Sequence, residues 1–382
     1  MINQTFSKLL NVIFALFMTQ SFVHAEYLEN ATPPAIHFDW MELKSGEWLK
    51  GEFKGIYSGD VEFDSDEFDL VTFKLVDVKQ IITKGYSTIN LNRNMPSITN
   101  IYNGTDDEST RVIAGKLTFA DHEFTVILPD GSTRVLQEED IASISGGEAK
   151  ESNYWSASIF FGIDFIAGNS EQIVATSKAN VQRRTASTRF MADFLGKYTQ
   201  VDGNKTTADT DRVNASFDIY QTSHFYLRAG SLEYLRDPFK NIRGRYTAYV
   251  GIGYDIIHTP KTDWSVTLGP GYQHTTFDDY NTSDPTAIRY ADTPLFVLDS
   301  KFDTELTSDI DFIVNYNMYL VNQDSGSYIH HAQISLETEL IKDFDLDLSL
   351  YWDRTQDPIP FADGTSPEQD DYTTMIAIGY SY

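Results

Sequence analysis

The sequence contains no cysteine among its 382 residues. A disulfide framework, a thiolate metal site and a lipid-modified cysteine near the N-terminus are therefore excluded. The N-terminus nevertheless resembles an export signal. Met1–Ala25 carries one charge, Lys8, before an apolar run over 9–18, and it ends in Val23-His24-Ala25. This pattern predicts a secretory signal peptide over residues 1–25, cleaved between Ala25 and Glu26.

The chain also lacks a long hydrophobic run after that signal. A spanning helix needs about 20 consecutive apolar residues, and no later segment approaches that length. Hydrophobic residues make up only 41% of the chain, whereas aromatic residues reach 14%, with 22 Tyr and 25 Phe. This composition excludes a helical membrane protein. It is typical of a transmembrane β-barrel, in which strands alternate lipid-facing apolar and lumen-facing polar residues.

Positive charge is scarce. The chain has 29 Lys and Arg against 56 Asp and Glu, for a net charge of −27, and acidic residues predominate both before and after residue 150. Nucleic-acid binding requires a basic face, so no nucleic-acid partner is expected. Solubility in a salty medium accounts for the excess of acid.

The C-terminal residues alternate as a strand. One face carries Tyr382, Tyr380, Ile378 and Ile376, and the other carries small, mostly neutral residues. A strand that ends on an aromatic residue resembles the closing strand of bacterial outer-membrane β-barrels, where it is the address read during insertion. The resemblance implies a location in the bacterial outer membrane. The expected partners are outer-membrane lipid, lipopolysaccharide and the barrel-assembly machinery.

The same period-2 pattern recurs from residue 153 onward and predicts about twelve antiparallel strands, an even number as bacterial barrels require. Aromatic residues at strand ends suit two interfacial girdles, as at Trp155, Trp264, Trp352, Tyr372 and Tyr382. The predicted strands begin near Asn153, Gln172, Ala186, Thr207, Ser223, Asn241, Thr262, Leu295, Asp309, Tyr328, Phe344 and Asp371. Short connections alternate with long ones over 278–294 and 355–370, as expected for periplasmic turns and outer loops.

Residues 26–150 predict a small periplasmic β domain made of two SH3- or Sm-like modules. Gly51-Glu52-Phe53 has a counterpart in Gly115-Lys116-Leu117, and Asp77-Val78 has one in Asp140-Ile141. This spacing suggests a weak internal duplication. The residues 146–152 form a linker, and the barrel is assigned to 151–382. The predicted fold is therefore all-β: a periplasmic β domain followed by a transmembrane barrel of about twelve strands.

Charged residues on the inward faces are candidates to line a narrow lumen, since a twelve-stranded barrel is small enough for side chains to obstruct. They can tune ion passage, or they can pair and close the lumen. The candidates are Arg212, Asp218, Arg228, Arg245, Asp255, Asp311, Glu337, Asp345 and Asp347.

Enzymatic motifs are weak. No His has a Ser two residues after it, as a barrel phospholipase would require, although a pair assembled across strands stays open. Asp278-Asp279 with His274, and Asp370-Asp371, could serve an aspartate-type protease, but they suit solvated loops better. His330-His331 lie next to each other on a strand and so face opposite sides, which disfavours a shared metal ion. No enzymatic activity, cofactor or metal is expected.

Several motifs resemble the YdiY-like family, described as salt-induced outer-membrane proteins and otherwise a domain of unknown function. They are the run 40–51, the acidic stretch 62–68, Gly168-Asn169-Ser170 and Leu268-Gly269-Pro270-Gly271-Tyr272. The resemblance covers most of the mature chain. It implies an outer-membrane barrel and, through the family's name, a link to salt stress. It carries no established ligand or reaction.

The leading functional prediction is an outer-membrane barrel that acts as a narrow channel or a component of the envelope or salt-stress response. The alternative is a non-conducting structural or binding protein that docks an unidentified partner through its periplasmic domain. A barrel hydrolase is the third possibility.

Overall fold

The computed structural model describes residues 37–92, 112–146, 154–166, 172–201, 205–259, 261–280, 287–307, 309–341 and 344–381. The predicted signal peptide with its Ala25–Glu26 cleavage site, Tyr382, Gly168-Asn169-Ser170 and most of the 146–152 linker lie outside these ranges. In the described part of the chain, none of the helices has the length and apolar character needed to cross a membrane.

The N-terminal unit is a nine-stranded antiparallel sheet. Its strand order is β4-β3-β2-β1-β5-β6-β7-β8, and β9 pairs with both β2 and β5. The strands are β1 (Asp39–Leu43), β2 (Trp48–Tyr57), β3 (Asp60–Ser65), β4 (Asp69–Lys74), β5 (Val78–Leu91), β6 (Val112–Ala120), β7 (Glu123–Ile127), β8 (Thr133–Gln137) and β9 (Ile141–Ser145).

Two halves of this sheet share one order of elements. In each half, three strands lead into a short 3₁₀ helix and then a fourth strand: β2-β3-β4, Leu75–Asp77 and β5, followed by β6-β7-β8, Glu138–Asp140 and β9. Both halves contribute to a single core, in which Phe53, Phe63, Phe119 and Phe124 are fully buried. The shared order supports the predicted duplication, which stays a prediction, as do the domain boundaries.

The C-terminal unit is a closed barrel of twelve antiparallel strands in chain order. This confirms the predicted fold class and strand number. The strands are β10 (Trp155–Ile166), β11 (Gln172–Arg184), β12 (Thr188–Val201), β13 (Lys205–Tyr220), β14 (Phe225–Asp237), β15 (Ile242–Thr259), β16 (Thr262–Phe277), β17 (Tyr290–Thr307), β18 (Ile310–Leu320), β19 (Tyr328–Ile341), β20 (Phe344–Thr355) and β21 (Asp370–Ser381). Pairing of β21 with β10, from Ser158↔Ser381 to Phe161↔Ile378, closes the ring.

The eighth barrel strand begins earlier than predicted, at Tyr290 instead of Leu295. Pro294 lies inside this strand, although proline cannot donate to a β-ladder. In the structure Pro294 pairs with Tyr272 of β16, whereas the β17–β18 ladder begins only at Phe296↔Leu320. Pro294 therefore precedes the part of β17 that pairs with β18. Its missing N–H removes no hydrogen bond from that pairing, so proline is tolerated inside the strand.

The barrel has two distinct ends. Connections of two to four residues lie at one end, which we call the sheet end because the N-terminal sheet contacts it. The other end, the loop end, carries connections of three to fourteen residues. This asymmetry follows the predicted pattern of short turns and long loops.

The barrel exterior is apolar over its middle and aromatic at both ends. Tyr254 and Phe344 are exposed at the sheet end, and Tyr272 and Tyr290 are exposed at the loop end. The exposed aliphatic and Phe side chains between them include Ile159, Phe161, Leu232, Val250, Ile252, Leu268, Phe296, Ile334, Leu348, Leu350, Ile376 and Ile378. Water does not favour such a surface, whereas the hydrocarbon interior of a membrane does, so the barrel is of the outer-membrane type.

The N-terminal sheet packs onto the sheet end through β2, β3 and β9. Arg184 of β11 donates to Glu62 at 2.7 Å, and its guanidinium lies 3.5 Å from the centre of the Tyr57 ring. Ser58 donates to the Ser223 carbonyl at 2.6 Å, and Ser143 donates to the Ala186 carbonyl. Burial at this contact raises the pKa of the Tyr57 hydroxyl above its usual range. All of these barrel residues lie on β11 or in the connections that follow β11 and β13.

Candidate functional site: the barrel lumen

The alternation along each strand places the polar residues of the barrel inside it. At mid-strand the inward side chains of β20 are Asp347, Ser349 and Tyr351, which are almost fully buried, whereas Leu348 and Leu350 between them are exposed on the exterior. The interior is therefore polar and charged, and its chemistry depends on which of these charges meet.

One ion pair spans the barrel near the loop end. Arg212 of β13 donates from Nη2 to Asp353 Oδ1 of β20 at 2.6 Å, and Nη1 lies 3.7 Å from Glu233 Oε2. Asp353 also lies 2.8 Å from His331 Nδ1. Tyr319 donates to Glu233 at 3.2 Å and extends the network to β18. Because β13 and β20 are five positions apart in the ring, this network crosses the lumen.

A second set of ion pairs lies closer to the middle of the barrel. Lys178 of β11 donates to Glu337 of β19 at 2.6 Å and to Asp347 of β20 at 2.8 Å. In the ring, β19 lies four positions from β11 and β20 lies three positions from it. Lys178 also lies 5.0 Å from the centre of the buried Phe160 ring. Lys178 therefore links strands on both sides of the β10–β21 pair that closes the barrel.

Arg228 of β14 is the third cross-link. Its guanidinium donates to Asp218 at 2.8 Å and to Asp299 of β17 at 2.7 Å, three positions away in the ring. Tyr249 accepts from Arg228 at 3.0 Å, and Arg189 lies 2.9 Å from Asp218. Since Asp218 is fully buried, its charge is balanced by two arginines.

Between the cross-links lies a polar chamber of about 270 Å³. Lys301 and Asp193 are two of its charged lining residues, alongside the ion-paired Lys178, Arg228 and Glu337. Its uncharged polar lining consists of Asn180, Asn214, Ser216, Ser231, Tyr249, Asn315, Asn317, Tyr319, Gln333 and Tyr351. The chamber can hold water and small hydrated ions, because amide and hydroxyl groups replace hydration contacts.

Carboxylates converge at the sheet end of the lumen, on β16 to β19. Asp263 pairs in register with Asp303, and Asp311 pairs with both Glu305 and Glu337. The N-terminal sheet contacts Arg184, Ala186 and Ser223 on the other side of the barrel, and it also contacts Asp255 of β15, next to this wall. This end of the lumen therefore carries a concentration of negative charge on one wall, which attracts cations.

The loop end is covered by interlocked connections. Asn241, fully buried and in a left-handed conformation (φ 58°), is their centre. Its Nδ2 donates to the carbonyls of Ile359 and Pro360 at 3.3 and 3.1 Å, and its Oδ1 accepts from the backbone N–H groups of Asp278 and Asp279. The cavities beneath, lined by Arg245 and Lys240, are only about 10 Å³ each. In the described residues, these interlocked connections narrow the lumen at this end.

A family model matches residues 159–382, more than half of the chain, and its description is a protein of unknown function, DUF481. The chain belongs to the DUF481 family. No curated protein matches the sequence.

Solved outer-membrane proteins resemble this DUF481 barrel only distantly. The NanC porin shares 10% identity at a TM-score of 0.37, covering 59% of this chain and 98% of its own. The KdgM porin, solved with disordered oligogalacturonate, shares 11% at 0.32, covering 59% and 99%. An outer-membrane channel from Pseudomonas putida F1 shares 9% at 0.35, covering 62% and 100%. The closed barrel and its apolar exterior indicate the fold and the membrane location.

The predicted lumen charges of this DUF481 chain occupy different places. Five of them form ion pairs in the lumen. Arg212 pairs with Asp353, Arg228 pairs with Asp218, and both Glu337 and Asp347 pair with Lys178. Asp311 is exposed at the sheet end and near Asp345, and Asp255 accepts from Ser58 of the N-terminal sheet at 3.2 Å. Arg245 is buried at the loop end.

Sequence reasoning missed five charged partners in this network: Lys178, Arg189, Glu233, Asp299 and Asp353. Lys178 and Asp353 lie on the inward face of alternating strands, so the pattern could have identified them. Glu233 could not be found in this way. A β-bulge between Arg228 and Ser231 shifts the alternation of β14 by one residue and turns Glu233 inward.

The residues considered for catalysis lie outside this ion-pair network, except for His331, which takes part in it through Asp353. His274 is on the exterior near the loop end, with its Nδ1 2.8 Å from Asp292 and its Nε2 3.3 Å from the Thr276 hydroxyl. His330 lies 2.8 Å from the Tyr316 hydroxyl and His331 contacts Asp353, each on a different face. Asp370 accepts from Arg354 and Trp352. Within the described ranges, no group of three or more His, Asp or Glu side chains is placed to hold a metal.

Proposed function

We propose that this DUF481 protein is a narrow, gated outer-membrane channel whose lumen is closed in this state by ionic cross-links. The observation that carries the proposal is the contact of Arg212 with Asp353 across the barrel, at 2.6 Å. A permanent plug needs only apolar packing, which is often as stable as a buried ion pair or more so. Ion pairs instead respond to voltage, to competing ions and to neutralisation of one partner.

The chamber and the carboxylate wall support conduction of small cations. A cation at the sheet end meets Asp303, Asp311 and Glu337 before it reaches the chamber, and rings or walls of carboxylates favour cation passage. The loop end then has to open by separation of the Arg212–Asp353 network. We therefore expect small, brief, cation-selective openings.

The cellular setting is part of the same proposal. The N-terminal sheet lies in the periplasm and the loop end faces outward. Outer-membrane lipid and lipopolysaccharide contact the barrel, and the barrel-assembly machinery inserts it. The resemblance to YdiY-like proteins supports a role in the envelope or salt-stress response. We assign no reaction to the lumen, because its central carboxylates are held by arginine and lysine.

Planar bilayers test the channel directly. The purified full chain is reconstituted and recorded across a range of salt concentrations, with a salt gradient to measure selectivity. We expect discrete openings whose reversal potential in the salt gradient has the sign expected for cation selectivity. In the double variant Asp303→Asn/Asp311→Asn, that reversal potential should shift toward zero. The absence of discrete conductance at every salt concentration and voltage would overturn the channel.

The N-terminal sheet favours a second candidate function, that of a docking protein. Phe68 and Leu70, at the β3–β4 edge, are 66% and 61% exposed. An exposed apolar edge of this kind suits a protein partner in the periplasm. Cross-linking of the full chain in cells would capture that partner, and Phe68→Ser/Leu70→Ser would lose it. Equal capture by wild type and by the double variant would count against docking at this edge.

A further inference from the structure

Arg245, on the inward face of β15, is a buried cation without a counter-ion. Its side chain belongs to a residue that is only 5% exposed, and its Nε donates to the Thr275 hydroxyl at a long 3.4 Å. In the described part of the chain, no carboxylate oxygen lies within ion-pair distance of it. Glu233 and Asp353 line a neighbouring cavity with Arg245, but both are engaged by Arg212. Arg212 and Arg228, the neighbouring buried arginines, each contact two carboxylates. An uncompensated buried charge costs several kcal/mol, so a missing partner is expected.

A second unpartnered group lines the same space. Ser325, in the connection between β18 and β19, is 3% exposed, and its hydroxyl has no hydrogen-bond partner. Arg245, Ser325 and Lys240 line one cavity of about 10 Å³ at the loop end. Lys240 brings a second positive charge, whose nearest carboxylate is Asp371 at 3.4 Å. A buried guanidinium without a contacting carboxylate and a buried hydroxyl without a hydrogen-bond partner therefore line one small cavity.

The cavity wall also contains two carboxylate residues, and neither balances Arg245. Asp357 accepts from the Ser327 hydroxyl at 2.6 Å, and Glu368 is exposed. Apart from Thr355, the rest of the wall is apolar. It comes from strand ends and from the connection between β20 and β21, with Ile242, Phe277, Pro358 and Ile359 among its residues. The interior of the site thus offers guanidinium, ammonium and hydroxyl donors with little competing acceptor.

We propose that this cavity is a binding site for one small monovalent anion, chloride in a salty medium. The anion accepts from the guanidinium of Arg245 and from the hydroxyl of Ser325 and balances the buried charge. The small volume, about 10 Å³, favours a small anion over sulfate, phosphate or an organic anion. Because Arg245 belongs to β15 and Ser325 to a connection at the loop end, the bound ion ties the barrel wall to its cover. The site does not depend on whether the lumen conducts.

Urea unfolding in liposomes tests the site, since urea, unlike guanidinium chloride, adds no halide. Wild type is compared in sodium chloride and in sodium gluconate at equal ionic strength. A tenfold excess of chloride over its dissociation constant multiplies the folding equilibrium constant about elevenfold. Arg245→Met removes the charge and reduces that ratio to about one. Arg243→Met, an exposed arginine two residues away on the same strand, keeps the full effect.

Ser325→Ala gives a second, milder variant in case Arg245→Met does not fold, and it reduces the chloride effect. Crystals grown in sodium bromide locate the ion by its anomalous signal, which we expect between Arg245 and Ser325. A water molecule there without a bromide signal would overturn the proposal. So would a chloride effect that both Arg245→Met and Ser325→Ala retain in full, or a wild type equally stable in chloride and gluconate.

Discussion

Arg212 and Asp353 lie 141 positions apart in the sequence and five strands apart around the barrel, yet their side chains meet at 2.6 Å. The contact is possible because a barrel of twelve strands is narrow enough for two long inward side chains to bridge it. Glu233, His331 and Tyr319 surround the pair. Removing one member leaves the other charge buried without its partner, at a cost of about 3–5 kcal/mol.

The apolar exterior predicts where a charge cannot be placed. Leu348 is 45% exposed on the outside of β20, in the middle of the strand. Leu348→Lys puts an ammonium against lipid and costs about 2–4 kcal/mol near the membrane centre. We expect a reduced fraction of folded barrel after refolding into liposomes, measured by the heat-dependent shift on gels. Phe239→Lys, at a site 44% exposed but outside the strands, is the control and should refold as wild type does. Equal losses in both variants would argue against a lipid-facing β20.

Gly379 of β21 makes room for a lumen side chain. A Cβ atom at this position would lie 2.1 Å from the Phe160 ring, and Phe160 is fully buried. Gly379→Ala should therefore lower barrel stability by about 1–3 kcal/mol through overpacking. Adding Phe160→Leu to the same chain should restore part of the loss. Gly230→Ala, where a Cβ meets nothing within 4 Å, is the matched control. Urea midpoints in liposomes measure all four chains, and an unchanged midpoint for Gly379→Ala would contradict the packing described.

The contact between sheet and barrel depends on Arg184. It holds Glu62 at 2.7 Å and covers the Tyr57 ring. Arg184→Ala removes a charged hydrogen bond worth about 1.5–3 kcal/mol, so undocked states should become at least tenfold more populated. Limited proteolysis would then release the N-terminal sheet faster while the barrel stays intact. Arg134→Ala, at an exposed arginine of β8, should leave the rate unchanged. Cleavage at the wild-type rate in Arg184→Ala would mean that the sheet is held by other contacts.

Asp39 predicts a pH dependence of the N-terminal sheet. Burial raises the pKa of its carboxyl above the ordinary 3.8, although the backbone N–H groups of Lys84 and Phe53 donate to it and act in the opposite direction. The folded sheet thus binds this proton more tightly than the unfolded chain does. The stabilising contribution is complete below the unfolded pKa and is lost as pH rises through the folded pKa.

Replacement of Asp39 by Asn isolates that contribution. The free energy of unfolding of wild type minus that of Asp39→Asn should be larger near pH 4 than near pH 7. Urea titration of the full chain in micelles, followed through the edge-to-face Trp40–Trp48 pair, reports on the sheet. A difference that is constant with pH, or that grows toward pH 7, would contradict a raised pKa.

Much of the fold was predictable because local alternation decides which side chains face lipid. The strand number and the inward direction of Arg212, Arg228 and Asp347 follow from period-2 patterns alone. The partners do not follow, because they depend on barrel closure and on the stagger between distant strands. Lys178 meets Glu337 across 159 positions in the sequence, which no local pattern encodes. The bulge that turns Glu233 inward leaves no mark on residue type, since Gly230 could equally be an ordinary strand glycine.

A double-mutant cycle on Arg212 and Asp353 tests closure by the ionic cross-link most directly. Open probability in planar bilayers is recorded for wild type, Arg212→Gln, Asp353→Asn and the double variant, with Arg236→Gln as a control. Arg236 pairs with Asp209 at 2.8 Å outside the lumen. A gate predicts that each lumen variant opens more often than wild type, that the double variant adds little to either, and that the control matches wild type. Silent bilayers for all the lumen variants, or openings identical to those of wild type, would contradict it.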